Sequence, residues 1–165
     1  MIAGRVWKFG DDIHVEMMLP QVALYLPEKD RRRYVFHVHR PGWVDQVQPG
    51  DFIIGGKNYG IGSSRPAPLS LRNVGVGCLL AESITDVFFR NAVNFGLLTL
   101  QCPGIRAAFE EGQTAEVSTE DFTVRNRETG VVLQAERIPP NLVTLMTSGG
   151  VFPLLEREGL IAPAN

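Results

Sequence analysis

Gly55-Gly56-Lys57-Asn58-Tyr59-Gly60-Ile61-Gly62-Ser63-Ser64-Arg65 is the stretch from which the fold can be read. Four of its eleven residues are glycine, so the backbone can take turns that a Cβ would forbid. Ahead of it, Asp51-Phe52-Ile53-Ile54 has the composition of a short buried strand. Behind it, Ala67 to Asn73 reads as a helix. The loop thus delivers two hydroxyls and a guanidinium at consecutive positions just before a helix start. Unpaired N–H groups there favour an anion, and Arg65 has the fork that clamps a carboxylate. Two readings follow. Ser63, Ser64 and Arg65 form a carboxylate or phosphate site with a serine close enough for chemistry, or they form a hydroxyl turn that caps the next helix. The Gly-Lys-Ser/Thr ending of a Walker phosphate loop is missing.

Working outward, the order strand, glycine loop, helix, strand, helix, strand predicts parallel pairing with helices packed on a sheet. Val76 to Ala81 is a continuous apolar run suited to a central strand. Ser83-Ile84-Thr85-Asp86 resembles a capping box, Ile84, Val87, Phe88, Ala92 and Phe95 recur at helical spacing, and Gly96 fits a C-cap. Leu97 to Leu100 is a further short strand. Upstream, Ile2 to Phe9 reads as a strand, Gly10-Asp11-Asp12 as a turn, and Ile13 to Met17 alternates loosely. Downstream, Gln113–Val117, Phe122–Arg125 and Val131–Ala135 read as hairpin strands, followed by helices at 141–147 and 152–158. The expected architecture is a mixed α/β domain, a central sheet flanked by helices and short β-hairpins, with residues 1–165 as one domain.

Residues 21 to 50 are the least regular part. Tyr34 to His39 has the aromatic and β-branched content of a strand. The segment is either a lid or binding loop, or a solvated loop carrying one strand. Arg31, Arg32 and Arg33, with His37 and His39 nearby, would meet an acidic substrate or a partner, or form a solvated charge run. Asp11, Asp12, His14 and Glu16 are likewise either metal or acid–base groups or a solvated turn.

The 165 residues carry a formal net charge of −2, which speaks against a nucleic-acid surface. No apolar run approaches the roughly 20 residues of a membrane span, and Met1 to Lys8 lacks signal-peptide organisation, so a cytoplasmic protein is expected. Cys78 and Cys102 form no CxxC pair and are too few for an iron–sulfur cluster. Buried reduced thiols are expected.

Asn58 to Arg65 resembles the Asn-Tyr/Phe-Gly-x-Gly-Ser-Ser-Arg signature of the aconitase superfamily's swivelling domain. That domain is a separate small subunit in 3-isopropylmalate dehydratases and prokaryotic homoaconitases. Gly10 to Glu16 through Leu19-Pro20, Ala81 to Ala92, and Gly96-Leu97-Leu98 resemble further family motifs in the same order, and the likeness runs from about Ile2 to Leu160. The resemblance implies an aconitase-type swivelling fold and a hydro-lyase small subunit, inactive without its large subunit, acting on a hydroxy di- or tricarboxylate. It implies no cofactor in this chain and a [4Fe–4S] cluster on the partner. By position, Ser63 would be the alkoxide-like base, and Ser64 and Arg65 would bind substrate carboxylate oxygens. Glu16 stands where the family has an active-site Asp, so it too would face substrate. Residues 21–42 would be the specificity loop, with Leu24, Tyr25 and Leu26 and one of Arg31, Arg32 and Arg33 as its contacts. Pro66 and Ala67 replace the family's Glu and His or Gln, and Gln21 to Leu26 lacks the arginine of the family's loop. A malate with an apolar substituent, as in leucine biosynthesis, suits such a loop better than a tricarboxylate. The alternatives are a dimethylmalate or citraconate-type hydratase, a homoaconitase, or a swivelling domain that only binds a partner or small anion.

Overall fold

The computed structural model describes residues 1–163. In chain order its elements are β1 (Ile2–Lys8), α1 (Val15–Met18), α2 (Gln21–Leu24), β2 (Phe52–Gly55), α3 (Ala67–Val74), β3 (Cys78–Ala81), α4 (Asp86–Phe95), β4 (Leu98–Gln101), α5 (Ile105–Ala108), β5 (Thr114–Val117), β6 (Thr123–Asn126), β7 (Val132–Gln134), α6 (Pro140–Thr147) and α7 (Val151–Arg157). The strands form a seven-stranded sheet in the order β4-β3-β2-β1-β5-β6-β7. β1 to β4 pair in parallel, with Ile53 opposite Trp7 on one side and Leu79 on the other. β5 joins β1 antiparallel, and β5, β6 and β7 continue as hairpins.

β2 and β3 are buried along their whole length, because both sheet faces are covered. Alternation then splits their side chains between two cores. Ile53, Leu79 and Ala81 pack with Ala67, Leu71 and Val74 of α3 and with Phe36, Trp43 and Tyr59. Phe52, Ile54, Cys78 and Leu80 pack with Ile105, Phe109, Val117, Val124 and Met146.

Three sequence expectations are corrected. Tyr34 to His39 is not a strand. Arg32–Tyr34 is a 3-10 turn, and Phe36 takes φ +54° in the left-handed region. The aromatic rings there are buried without a ladder: Phe36 stacks on Phe9 at 4.4 Å and meets Trp43 edge-on at 5.3 Å. Ile13 to Met17 ends in the helical turn α1 rather than a strand, although Ile13 and Val15 still point inward while His14 and Glu16 are exposed. The cap of α4 is Thr85, whose hydroxyl accepts the Phe88 N–H at 3.4 Å, not Ser83. The short helix α5 has no counterpart in the sequence reading.

Candidate functional site

The glycine loop leaves the C-terminal end of β2 and runs between the segments that leave β1 and β3. This is the carboxyl edge of the parallel strands, where open α/β sheets hold their ligands. The loop is bonded on both sides. Gly60 and Ile61 donate N–H to the Ile13 carbonyl, and Val15 N–H returns to Ile61. Tyr59 N–H donates to Ser83 and Thr85 N–H to Tyr59.

The glycines are steric requirements. A Cβ on Gly60, which has φ +89°, would lie 2.3 Å from Phe88 Cβ. One on Gly56 would lie 1.9 Å from Asp11 Oδ1. That carboxylate needs the space because it accepts the Lys57 N–H at 2.8 Å and Arg106 at 3.2 Å. Asp12 accepts from the Asn58 side-chain amide at 2.9 Å. The acidic turn at 11–12 is therefore a clasp for the loop.

Clasped in this way, the loop presents Ser63 and Ser64 to solvent and turns Arg65 inward. Ser64 Oγ lies 3.0 Å from the Asn91 amide nitrogen on α4. Arg65 Nη2 donates to Glu16 Oε1 at 2.6 Å, and Nη1 to the Leu19 carbonyl at 3.2 Å. Its Nε is buried without a partner among the described residues. Glu16 is thus joined to Arg65, next to the two serines that precede the arginine in the chain. The helix-terminus anion site is thinner than expected, because Pro66 and Pro68 carry no N–H and leave Ala67 and Leu69 as the donors at positions 66–69.

The segment after Glu16 passes Arg65 at Leu19 and then diverges. Leu24 is half-buried against the core, and Tyr25 is exposed with its hydroxyl 3.2 Å from Gln21. The Leu26 carbonyl accepts from Arg31 Nε. Arg32 bonds the Val44 carbonyl at 3.0 Å and lies 3.5 Å from the carbonyl of Val74, the last residue of α3. Arg33 stacks over Tyr34. Ser63 to Arg65 precede the first turn of α3, so Arg32 sits a helix length away, about 12 Å at 1.5 Å per residue. The structure does not bring Arg32 to the serines.

Residues 36–104 match the family model described as the aconitase C-terminal domain. The isopropylmalate/citramalate isomerase small subunit of Methanocaldococcus jannaschii is 38% identical over 160 residues, covering 96% of this chain and 95% of that protein. The 3-isopropylmalate dehydratase small subunit 1 of Methanopyrus kandleri is 40% identical over 163 residues, again covering 96% and 95%. The chain belongs to the family of 3-isopropylmalate dehydratase small subunits. A crystal structure of 3-isopropylmalate dehydratase from M. jannaschii has the same fold, with a TM-score of 0.87 at 24% identity over 96% of this chain and 95% of that one.

This small subunit's own residues do not suit a metal cluster. Cys78 and Cys102 are buried free thiols. Burial pushes the Cys102 thiol up to about 12 and Cys78 higher still, away from the thiolate that ligates iron. Among the described residues, no group of three or more His, Cys, Asp or Glu side chains is placed to hold a metal ion. Nor is any described helix long and apolar enough to cross a membrane.

Sequence reasoning missed Asn91 and Thr85 as parts of the site. Thr85 Oγ donates to the Gly60 carbonyl at 2.8 Å. Their signal was the three-residue spacing of Thr85, Phe88 and Asn91, which sets all three on one face of α4.

Proposed function

We propose that this chain is the small subunit of a hydro-lyase that removes water from, and returns it to, a substituted malate of the 3-isopropylmalate class. The observation that carries the reading is the exposed Ser63-Ser64 pair clasped directly before the buried, cationic Arg65. Ser63 Oγ, as an alkoxide, takes the proton from the carbon next to a substrate carboxylate and becomes a neutral hydroxyl, so it is the alkoxide before the transfer that needs stabilisation. Ser64 holds a carboxylate oxygen. Arg65 presents its Nη2 edge to a carboxylate, and in the free subunit Glu16 fills that place. Because Glu16 is exposed, a substrate carboxylate displaces it or shares the guanidinium with it.

The large subunit completes the site. The iron–sulfur cluster of this superfamily belongs on that partner and supplies a Lewis acid for the substrate hydroxyl when bound. The part of the 21–42 loop nearest Arg65, from Gln21 to Leu26, has no cation, which favours an apolar substituent on the malate. The M. jannaschii relative named for both isopropylmalate and citramalate favours citramalate as a second substrate.

The test is reconstitution with the large subunit and assay on 3-isopropylmalate, citramalate, dimethylmalate and homocitrate. Turnover of the first two with little on homocitrate is expected, and Ser63→Ala lowers kcat by about a hundredfold or more without disturbing assembly. Preference for homocitrate, assembly without turnover of any of the four, or full turnover by Ser63→Ala would overturn the reading.

A further inference from the structure

The face of α4 is the wall against which the serine loop is set. Thr85 Oγ donates to the Gly60 carbonyl, the Phe88 side chain fills the space that glycine leaves at position 60, and Asn91 reaches Ser64. The first two contacts fix the backbone of the loop. The third is different in kind, because it fixes a hydroxyl. Asn91 is half-buried on a regular helix, which fixes the backbone from which its amide reaches the loop.

Two orientations of this contact are geometrically open. Asn91 Nδ2 lies 3.0 Å from Ser64 Oγ, while Ser64 Oγ lies 3.4 Å from Asn91 Oδ1. The shorter one makes the amide the donor and the serine oxygen the acceptor. A hydroxyl carries one proton and two lone pairs. With one lone pair engaged by Asn91, the Ser64 proton is left free to point out of the loop, towards an acceptor in solvent or on a substrate. A substrate carboxylate is such an acceptor.

We propose that Asn91 is a positioning residue that orients the Ser64 hydroxyl as a donor to a substrate carboxylate oxygen. The proposal rests on the hydro-lyase reading above and extends it to a residue on a different element. It assigns Asn91 a role in substrate binding through Ser64, with no contact to the proton that Ser63 removes. Asn91→Asp is informative because it keeps the shape and replaces the donating NH2 with an acceptor. Ser64 would then turn its proton to the new carboxylate and lose it for substrate.

The experiment uses the complex with the large subunit and 3-isopropylmalate, and reads kcat and KM for Asn91→Ala, Asn91→Asp, Ser64→Ala and the Ser64→Ala/Asn91→Ala double variant. Asn91→Ala should raise KM by about fivefold to tenfold with a smaller change in kcat. Asn91→Asp should raise KM at least as much. In the Ser64→Ala background, Asn91→Ala should have no further effect on KM, since the interaction it serves is already gone. Thermal melts of each variant should stay close to the parent. An Asn91→Ala change that lowers kcat and stability together, or that adds fully to Ser64→Ala, marks a structural role and overturns the proposal. An unchanged KM in Ser64→Ala removes Ser64 from binding and the proposal with it, while the Ser63→Ala result still judges the hydro-lyase reading separately.

Discussion

Arg65 and Glu16 are joined by a 2.6 Å ion pair whose two sides differ sharply in exposure, 5% for the arginine side chain and 68% for the glutamate. The cation is desolvated and the anion is not. Removing each partner should therefore have different consequences. Glu16→Gln leaves a neutral acceptor but takes the counter-charge from a buried guanidinium, at about 2 kcal/mol of stability or more. Arg65→Met orphans the Leu19 carbonyl and strips the exposed carboxylate of its partner, at about 2 kcal/mol. In the reconstituted complex, Arg65→Met should raise KM for 3-isopropylmalate far more than Glu16→Gln does. Urea melts of the subunit check the two costs, and steady-state kinetics of the complex check the order in KM.

Gly60→Ala tests the seating of the loop. The new methyl would meet Phe88 at 2.3 Å on a backbone already at φ +89°. Clash and left-handed strain together should cost about 3 kcal/mol or more. Gly60→Ala with Phe88→Ala should recover only the part due to the Phe88 ring, because the nearest atom, Phe88 Cβ at 2.3 Å, is kept in alanine. Equilibrium unfolding of the three variants reads that part.

These contacts show what the sequence could and could not reveal. The parallel strands were legible because a strand buried on both faces must be continuously apolar, as Phe52–Ile54 and Cys78–Ala81 are. The serine loop was legible because glycines at fixed spacing mark close approaches. Tyr34–His39 misled because aromatic content reports burial on a packed surface, and that burial is satisfied here by ring stacking around Trp43 with no strand partner. The distance of Arg32 from the serines was hidden, since its position is set by the carbonyls of Val44 and Val74, far along the chain. Asn91 lies within the Ala81 to Ala92 stretch, where its spacing from Thr85 and Phe88 marks a shared face, but that its partner is Ser64, 27 residues away, is set by the fold.

Asp51 should make the fold acid-sensitive. It lies beneath β1, accepting from Arg5 at 2.6 Å, Trp7 Nε1 at 2.7 Å and the Gln48 N–H at 2.9 Å. Burial alone would raise its pKa, yet these hydrogen bonds together hold it below the ordinary 3.8. A depressed folded-state value contributes stability that is present above the unfolded pKa and lost as pH falls through the folded one. Thermal melts should therefore drop as pH falls below about 4. Asp51→Asn should lose about 2 kcal/mol at pH 7 and close most of that gap in acid. A constant difference between the two proteins from pH 7 to about pH 2.5 would show that another group sets the acid limb.

Tyr59 is fully buried, and its hydroxyl has no hydrogen-bond partner among the described residues. Burial pushes its pKa upward, so the phenol stays neutral. An unpaired buried hydroxyl is a net cost, while the ring retains its packing against Gly55 and its edge contact with Phe88 at 5.5 Å. Tyr59→Phe should be neutral to stabilising by about 1 kcal/mol. Tyr59→Ala should lose about 3 kcal/mol or more through the cavity it leaves. A destabilising Tyr59→Phe, measured by urea unfolding, would reveal an acceptor for the phenol.

The two thiols should be silent in the folded chain. Cys78 is flanked in register by Phe52 and Leu98, and Cys102 follows β4 in the same apolar core. Both are buried and reduced. Desolvation is the main cause of each raised value, with the Glu82 carboxylate adding to it at Cys102. The thiolate fraction at pH 8 is therefore very small, and the reagent has no path to either sulfur. A disulfide-exchange reagent at pH 8 should label almost nothing in the native subunit and both cysteines once guanidinium unfolds it. The native labelling rate should follow global unfolding, so Gly60→Ala should accelerate it in proportion to its loss of stability. Rapid native labelling that ignores that variant would mean that the β3–β4 side of the sheet opens on its own.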